Sequence, residues 1–592
     1  MTDNSKAVLS FSIGPVQEFI IAARTLRDLA VGSRLLSYLA GRAIEAVRSH
    51  GGEFIFPAIE PGNLPESLPN TFIAKLPLSA APAATEACRR AVLDAWNAIS
   101  HSVHDRIASV FHPPTHWDAG WDDQITHFWD IRVFSIPESA GADPAVARLV
   151  GGPTSGTRDN FSTALAYLNA LAAAHKQIRH YPPHEPDGRD GAPLETRPKC
   201  SLLGSLSQMG PRNPANQMAA LTEFWELLRT RGIDGIRIGR SDRFCAVSLV
   251  KRFAPLDADF TRSLKGSLLR FPDIDTICAA DWLDEAGLGE LPQQGEWSGH
   301  WLRPQREGAV PDPDEPPCPP HIAEIIQSAR RKLGAPPAYY AILMLDGDSM
   351  GDRLRNRPPA EIRQISQQLA RYAGEIVPDI VGKHRGTLVY AGGDDVLALL
   401  PTARAISCAR ELAEEFQRLP MPGGKATASA GLAIAHYKEN LRLALETARA
   451  AEAASKSRGR NRLSLAILGR AGNAAPLTLP WDRVPLLEDL HRDFKNPEGG
   501  DVTDRWAYHF RAFLDAIGDN GPSPAEPGAA RDIRKAELHR LLASSRKMPP
   551  DFRSHILLYW DALSGDPAHS DASRDFIDGI LSVSFLTRSP KE

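Results

Sequence analysis

The sequence is poor in three features that would each point to a class of protein: paired cysteines, a long apolar run and an excess of charge of one sign. It has six cysteines, and none of them lies in a Cys-x-x-Cys pair. Its apolar runs are far shorter than the about 20 residues that a membrane-spanning helix needs. A formal net charge of −4 gives no overall attraction for nucleic acid, so any RNA contact must come from local basic patches or from partner subunits.

The remaining composition is that of a globular protein with several domains. The chain has 592 residues, of which 43% are hydrophobic and 24% are charged. At ordinary domain size this length divides into about three to five domains. The first apolar strand already starts at Val8, so we expect no signal peptide and a cytoplasmic protein without membrane contact.

The most informative segment is an acidic turn between two apolar runs. Residues 387–401 read Thr-Leu-Val-Tyr-Ala-Gly-Gly-Asp-Asp-Val-Leu-Ala-Leu-Leu-Pro. Gly392 and Gly393 permit the positive φ angles of a tight hairpin, and the adjacent Asp394 and Asp395 can present hard oxygen ligands to Mg²⁺. Taken alone, an acidic turn between two strands is usually only a solvated turn.

A second acidic pair, Asp346 and Asp348, ends an apolar strand upstream. Apolar residues between positions 362 and 376 recur at steps of three and four, which predicts an amphipathic crossover helix. We expect this helix to place the upstream strand and the first strand of the hairpin side by side and parallel. Further helix and strand patterns up to residue 468 complete a ferredoxin-like βαββαβ palm.

A basic segment follows, Lys456-Ser-Arg-Gly459-Arg460-Asn461. By itself it is typical of a helix C-terminus with a glycine cap and basic residues against the helix dipole. Together with the carboxylates, it is interpreted as a clamp in which Lys456 and Arg460 neutralise a triphosphate. Ser429, on the strand before the clamp helix, is a weaker candidate for contact with a base and is otherwise an ordinary strand residue.

The acidic set favours two-metal phosphoryl transfer with Mg²⁺ or Mn²⁺. Asp346 and Asp394 are the expected principal metal ligands, Asp395 is a further ligand or an orienting base, and Asp348 is supportive. The glycines of the turn let the backbone approach the nucleotide. The catalytic and metal-binding candidates are Asp346, Asp394 and Asp395, and the nucleotide-binding candidates are Gly392, Gly393, Asp348, Lys456, Arg460 and Ser429.

Residues Phe11–Ala40, beginning Phe-Ser-Ile-Gly-Pro-Val-Gln-Glu-Phe, resemble the amino-terminal palm signature of the large subunit of type III-B (Cmr-type) CRISPR RNA-guided effector complexes. The basic segment resembles the one with which nucleotide cyclases of the GGDEF class hold a triphosphate. Other stretches that agree with the resemblance are, in chain order, Pro69–Phe72, Leu249–Arg252, Phe271–Pro272, Leu345–Gly351 and the Gly-Gly-Asp-Asp turn.

The resemblance implies a palm nucleotidyltransferase that converts ATP to cyclic oligoadenylate by attack of a 3′-hydroxyl on an α-phosphate, once guide RNA pairs with a foreign transcript. It implies other Cmr-type subunits, guide crRNA and target RNA as partners. One alternative is the same fold joining ATP to another small metabolite. Another is a non-catalytic scaffold subunit, against which the carboxylates argue because they would repel one another without a cation.

We expect an α+β multidomain protein with two ferredoxin-like palms, a helical insert and a C-terminal helical bundle. The first palm, 1–140, includes one long helix, Val16–Arg48, and is either a second nucleotide pocket, as the resemblance implies, or a plain structural domain. The insert spans 141–330, the catalytic palm 331–472 and the bundle 473–592. By resemblance, the bundle is expected to contact a filament of small subunits.

Two sites known from relatives are expected to be absent. Residues Lys199–Gly204 resemble the first half of a zinc site with Leu203 in place of its second cysteine, so we expect a zinc-binding fold without its zinc. His104-Asp105 is the dipeptide that names the HD nucleases. A lone dipeptide cannot supply the ligands of a metal site, and we expect no HD-nuclease domain.

Overall fold

Two β-sheets flanked by helices organise the described residues in the computed structural model of the chain. No helix in these residues is both long and apolar enough to cross a membrane. The structure describes residues 5–59, 64–65, 67–110, 120–150, 159–177, 198–211, 216–233, 236, 238–264, 271–293, 297–303, 317–469, 472–473, 476–495, 502–517, 528–545, 548–565 and 572–587.

The first sheet is antiparallel and has the strand order β2-β3-β1-β4. This is the order of a ferredoxin-like βαββαβ unit, as the sequence predicts. Its elements are β1 (Lys6–Gly14), α1 (Gln17–Ile21), α2 (Leu26–Ser49), β2 (Glu53–Phe56), β3 (Thr71–Pro77), α3 (Ala81–Ala108), α4 (Trp121–Thr126) and β4 (Asp130–Pro137).

A helical region follows the first palm. Most of its helices are short, and α8 packs against both α2 and α3 of the first palm. These helices are α5 (Pro144–Leu149), α6 (Asn160–Gln177), α7 (Gln217–Arg231), α8 (Ala246–Phe253), α9 (Ala258–Ser263), α10 (Ile274–Cys278), α11 (Ala280–Glu285) and α12 (Pro320–Leu333). The prolines of residues 303–320 predict a linker before the second palm, because proline disfavours both helix and central strand, but most of this range lies outside the described residues.

The second sheet has the order β10-β9-β8-β5-β7-β6, with β11 beside β9. A π-helical turn, Tyr372–Ile376, joins α14 to α15 without interrupting the helix. The elements are β5 (Tyr339–Gly347), α13 (Met350–Leu354), α14 (Pro359–Arg371), α15 (Val377–Lys383), β6 (Thr387–Ala391), β7 (Val396–Pro401), α16 (Thr402–Arg418), β8 (Ala428–His436), α17 (Leu441–Ser457), β9 (Arg462–Gly469), β10 (Gly472–Asn473) and β11 (Leu477–Pro480).

The two strands that the crossover helix connects, β5 and β6, are not neighbours. β7 lies between them and pairs antiparallel with both, so the predicted side-by-side arrangement is wrong. The element order is nevertheless that of a ferredoxin-like sheet, in which the return strand of the hairpin takes the central position. The turn of the hairpin and the C-terminal end of β5 therefore lie at the same end of the strands.

Both faces of β5 are buried. Tyr340 and Ile342 pack into the core shared with the first palm and the helical region, whereas Leu343 and Leu345 pack into the core on the opposite face. Because neither face meets water, the strand is apolar at nearly every position until it reaches its acidic end.

Five helices follow the second palm and share its core. Phe510 and Phe576 belong to the same continuous hydrophobic cluster as Leu343 of β5. The predicted C-terminal helical bundle is therefore present and packs directly on the palm, while the three boundaries between the four domains stay predictions. Its helices are α18 (Val484–Lys495), which was not predicted, α19 (Arg505–Ala516), α20 (Gly528–Ser544), α21 (Pro550–Ser564) and α22 (Ala572–Thr587).

The prediction of a single helix Val16–Arg48 is wrong, because the helix is interrupted between α1 and α2. The Asp28 N–H donates to Thr25 Oγ1 at 3.2 Å, and the Thr25 N–H donates to the Asp28 carboxylate at 3.1 Å. This reciprocal capping box starts α2. It is visible in the sequence as Thr-x-x-Asp.

Two basic side chains of α8, in the helical region, bind the residues at this break. Lys251 Nζ donates to the main-chain oxygens of Ile20 and Ala22, both at 2.9 Å. Arg252 donates to both carboxylate oxygens of Asp28, at 2.6 and 2.8 Å. All three charged side chains are buried. The first palm and the helical region are thus joined by buried charges as well as by apolar packing.

Candidate active site

The acidic turn joins β6 to β7. It closes at Gly392, whose N–H donates to the main-chain oxygen of Asp395 at 2.9 Å. Gly393 takes φ +95°, which would strain any residue with a side chain. The expectation that both glycines supply positive φ is wrong, because Gly392 does not. A β-carbon at Gly392 would instead collide with the side chain of Tyr390, which packs against it.

The end of β5 lies against this turn. Leu345 pairs with Val396, so Asp346 and Asp395 are the next residues along the two antiparallel strands. A β-carbon at Gly347 would lie 2.8 Å from the Asp394 Cβ, so the close approach depends on this glycine. The three carboxylates proposed as metal ligands, those of Asp346, Asp394 and Asp395, are thus brought together.

Crowding changes the ionisation of these carboxyl groups. Loss of hydration, and then the charge of Asp346, raise the pKa of Asp394 to about 7, against an opposing effect of Lys456. The Asp395 side chain is exposed at the turn, although neighbouring groups still reduce its hydration. Loss of hydration, a hydrogen bond with Asp346 and the charge of Asp394 raise its pKa well above the usual value. A bound cation would offset this repulsion.

Lys456, in the last turn of α17, is the cation that contacts this acidic group in the described part of the chain. Its ammonium donates to Asp346 and forms a second ion pair with Glu452 at 2.7 Å. Burial lowers the pKa of Lys456, but the hydrogen bonds to the two carboxylates outweigh this effect and raise its pKa above the usual value. Lys456 therefore neutralises Asp346, and a metal ion on Asp346 would compete with it.

Asp348 is turned into the protein. It is 4% exposed and accepts hydrogen bonds from Ser429 Oγ at 2.7 Å, Thr427 Oγ1 at 2.8 Å and the Asn461 N–H at 2.9 Å. Its carboxylate therefore fastens the end of β5 to the start of β8 and to the segment after α17. The interpretation of Ser429 as a base contact is wrong, because this buried hydroxyl is used by Asp348.

We call residues 456–461 the clamp loop. The Arg460 N–H donates to the Ser455 oxygen at 3.0 Å, and Gly459 takes φ +122°, so α17 ends in a glycine cap as its sequence indicates. Arg460 is exposed beyond this cap. The cap does not conflict with a phosphate-binding role for Lys456 and Arg460, which stays a prediction.

The residues that hold the clamp loop in place were not predicted from the sequence. Asn461 receives a hydrogen bond from the Gln417 side chain at 2.9 Å, and its own N–H donates to Asp348. In the sequence, Asn461 stands out only as the end of the basic run, and nothing in the spacing points to Gln417 on α16. The loop is therefore connected to two other elements of the second palm.

A cavity of about 410 Å³ lies beside the turn, between the two palms. The Ser67 hydroxyl is buried there and has no hydrogen-bond partner among the described residues. An apolar cavity with a few polar groups, ending at the turn, suits a nucleobase. Lining residues from the first palm include Ser33, Phe56 and Leu68, and those from the second include Leu369, Gly374, Val389, Gly392 and Gly393.

The donor set fits Mg²⁺ or Mn²⁺, because hard cations prefer carboxylate oxygens and the crowded acids favour a compensating charge. Within the described residues, no three Asp, Glu, His or Cys side chains already converge on one point as metal ligands. Asp346 is held by Lys456 instead. A metal ion held by Asp346, Asp394 and Asp395 would thus compete with Lys456 for the Asp346 carboxylate.

The helical region brings two distant cysteines together. Ser248 Oγ lies 3.3 Å from Cys200 Sγ and 3.2 Å from Cys245 Sγ. The Leu202 and Ser248 N–H groups each donate to a sulfur at 3.4 Å. The segments read Cys-x-x-Leu and Cys-x-x-Ser, so each has one thiol where a paired zinc motif has two. No further metal ligand joins them within the described residues, and the set does not fit zinc.

We expect the purified chain to contain no structural zinc, because Leu203 and Ser248 occupy the two missing ligand positions. The double variant Leu203→Cys with Ser248→Cys should bind zinc stoichiometrically, since it supplies four thiolates in two close pairs. Metal analysis after dialysis measures both proteins, with Cys318→Ser as a control cysteine change. A full equivalent of zinc in the unchanged chain would contradict the expectation.

His104 and Asp105 lie near the end of α3 in the first palm. His104 packs its ring against Trp121 at a centroid distance of 5.1 Å, and Asp105 is exposed. No metal-binding cluster forms around them in the described part of the chain. Absence of an HD-nuclease domain stays a prediction.

Two family models match the chain in the order of the two palms. The model for the CRISPR-associated protein Cmr2, N-terminal, matches residues 8–101, and the model for the Cas10/Cmr2 second palm domain matches residues 339–464. The CRISPR system Cmr subunit Cmr2 of Pyrococcus furiosus is 33% identical over 223 residues. These make up 32% of this chain and 25% of that relative, so the match spans a quarter of the relative's length.

Solved structures agree in fold. A type III-B Cmr-beta structure in the apo state has a TM-score of 0.61 and 12% identity, covering 91% of this chain and 77% of that chain. The Cmr-beta structure bound to cognate target RNA has a TM-score of 0.56 and 12% identity, with 91% and 78% covered. With both domain models matched in order, this chain contains a domain of the Cmr2 N-terminal kind followed by a second palm domain of the Cas10/Cmr2 kind.

Proposed function

We propose that the second palm is a nucleotidyltransferase that converts ATP to cyclic oligoadenylate within a type III-B effector complex. The observation that carries this proposal is the meeting of Asp346, Asp394 and Asp395 with Lys456 beside the cavity between the palms. Carboxylates that raise one another's pKa and a lysine that can exchange its partner suit the binding of a metal-nucleotide complex.

In the proposed substrate complex, the base occupies the apolar cavity and the phosphates pass over Gly392 and Gly393. The absence of side chains at these glycines allows the backbone to approach the nucleotide closely. Lys456, once Asp346 turns to the metal, donates to the triphosphate together with Arg460. Asp348 takes no direct part and keeps the end of β5 and the clamp loop in position.

The proposed reaction joins the 3′-hydroxyl of one nucleotide to the α-phosphorus of another. Mg²⁺, when bound, supplies the charge stabilisation that this displacement needs. Asp395 accepts the proton of the attacking hydroxyl, while the bond from the α-phosphorus to the bridging oxygen breaks and pyrophosphate leaves. Lys456 and Arg460 hold the leaving pyrophosphate. Repetition on one chain of nucleotides, followed by closure, gives the cyclic product.

Guide and target RNA are proposed to be read mainly by other Cmr-type subunits. The net charge of −4 supports this, since the chain has no overall attraction for nucleic acid. The large subunit then responds to target binding by a change in how its two palms face each other across the cavity.

We expect target RNA to activate the enzyme. The isolated chain should turn ATP over slowly, and the complex with matched target RNA should be about a hundredfold or more faster. Each tenfold shift in the population of the active arrangement takes about 1.4 kcal/mol, so target binding must favour that arrangement by about twice this free energy. Labelled ATP is incubated with the isolated chain, the reconstituted complex, and the complex with matched or mismatched RNA, and the products are identified by mass. Equal rates in all four would contradict the proposed control by RNA.

Mass identification also separates the proposed product from its alternative. A ring of AMP units supports the proposal, whereas AMP joined to another small metabolite would assign the same site a different acceptor.

A further inference from the structure

An ion pair connects the C-terminal bundle to the clamp loop. Arg458, between Lys456 and Arg460, donates to the Asp575 carboxylate of α22 at 3.3 and 3.4 Å. The Asp575 side chain is 3% exposed, whereas that of Arg458 is 29% exposed. A buried carboxylate on a helix outside the palm is thus paired with a residue in the middle of the proposed phosphate-binding segment.

Asp575 is itself held firmly by its surroundings. The Thr478 N–H of β11 donates to its carboxylate at 3.4 Å, and the Tyr559 hydroxyl of α21 donates to its main-chain oxygen at 3.3 Å. Asp575 also lies in the first turn of α22, where the helix dipole favours a negative charge. The carboxylate is therefore a fixed point against which the Arg458 guanidinium can be placed.

The clamp loop needs such a fixed point, because its backbone conformation is unfavourable. Arg460 takes φ 62° and Asn461 takes φ 51°, and both are residues with side chains. Non-glycine residues adopt this left-handed conformation at a cost, and they keep it where their surroundings hold them in place. Asp348 and Gln417 hold the loop at Asn461, and Asp575 holds it at Arg458.

We propose that Asp575 is a positioning residue for the active site, acting through Arg458 to keep Lys456 and Arg460 in place for the phosphates of the nucleotide. The consequence for ATP rests on the proposed function. Through this ion pair, the C-terminal bundle takes part in nucleotide binding although none of its described residues lines the cavity.

Hydrogen exchange of the full-length chain tests the proposal without a nucleotide. The Arg458 and Arg460 N–H groups donate to main-chain oxygens at the end of α17. In Asp575→Asn, their exchange should become about tenfold faster, because the loop loses its ion pair with α22 and opens more often. A change of this size is clearly separated from a twofold variation. The matched control is Asp578→Asn, one turn later on α22, whose carboxylate pairs with Arg511 at 2.6 Å and not with the clamp loop.

Calorimetry tests the consequence for phosphate binding. Asp575→Asn should bind Mg·ATP about tenfold more weakly, a loss of about 1.4 kcal/mol, and adenosine with unchanged affinity. Arg458→Ala, at a more exposed position, should show the same selective loss without disturbing the bundle, and Arg458→Lys should restore part of it. The double variant of Asp575→Asn and Arg458→Ala should lose no more than either single variant.

Unchanged exchange in Asp575→Asn, or an equal rise in Asp578→Asn, would overturn the proposal. An equal weakening of ATP and adenosine would do the same, since it would indicate general damage to the fold. Failure of the complex to form a cyclic product would overturn the proposed function instead, because the exchange measurement does not depend on turnover.

Discussion

Replacing Asp394 and Asp395 together by alanine is expected to abolish product formation. The two carboxylates lie at the tip of the acidic turn beside Asp346, where both are proposed metal ligands and Asp395 is also the proposed acceptor of the hydroxyl proton. Their loss removes the charge stabilisation of the displacement, and the rate should fall about a thousandfold or more. The measurement is conversion of labelled ATP by the reconstituted complex with matched target RNA.

The same double variant should assemble with its partners and bind target RNA normally, because the turn lies at the ends of β6 and β7 and not in the hydrophobic core. Asp352→Ala is a suitable control, since Asp352 is an exposed acid on the neighbouring α13 whose carboxylate pairs with Arg355 at 3.2 Å. Product formation by the double variant at roughly a tenth of the normal rate, a deficit of only about 1.4 kcal/mol, would refute the site assignment.

Replacing Lys456 by glutamine is expected to change metal and nucleotide binding in opposite directions. Without nucleotide, Mg²⁺ should bind roughly tenfold more tightly, because the ammonium that neutralises Asp346 is gone. With ATP, affinity should fall and turnover should drop about a hundredfold or more, because one donor to the phosphates is lost. Titration calorimetry with Mg²⁺ alone, and kinetics with ATP, measure the two effects.

Arg449→Gln is the matched control for this variant. Arg449 is exposed two turns earlier on α17, so the substitution removes the same charge from the same helix at a distance from the carboxylates. It should leave both measurements close to their normal values. Weaker Mg²⁺ binding in Lys456→Gln would show that Lys456 supports the metal site and does not compete with it.

The fold of the second palm was largely predictable, because its signals are strong and local. β5 is apolar at successive positions since both of its faces are buried, and the crossover helix has a regular apolar period. The acidic residues stand at strand ends, where the run of buried apolar side chains stops. Patterns of this kind depend only on neighbours in the sequence.

The arrangement within the site was less predictable, because it depends on pairings between distant segments. The insertion of β7 between β5 and β6 follows from hydrogen bonding across the whole sheet. The inward turn of Asp348 depends on Thr427, Ser429 and Asn461, which meet it only in three dimensions. The partnership of Lys456 with Asp346 joins residues 110 positions apart, which spacing alone does not reveal.

Two structural features that were not predicted nevertheless had a signal in the sequence. The break between α1 and α2 is marked by Thr25-x-x-Asp28, a capping box inside a run of otherwise good helix formers. The meeting of Cys200 and Cys245 had a weaker signal, since the second segment has serine where a paired motif has cysteine. Only the structure reveals that the two segments face each other.

The buried charges between the first palm and α8 have a consequence for synthesis of the chain. Arg252 follows Asp28 by 224 residues, and Lys251 follows Ile20 by 231. At about 5–20 residues per second, the ribosome takes about 10–45 s to deliver α8 after Asp28 has been made. Until then Asp28 and the carbonyl groups at the end of α1 must stay hydrated. The first palm therefore completes its fold together with the helical region, long after its own last strand has emerged.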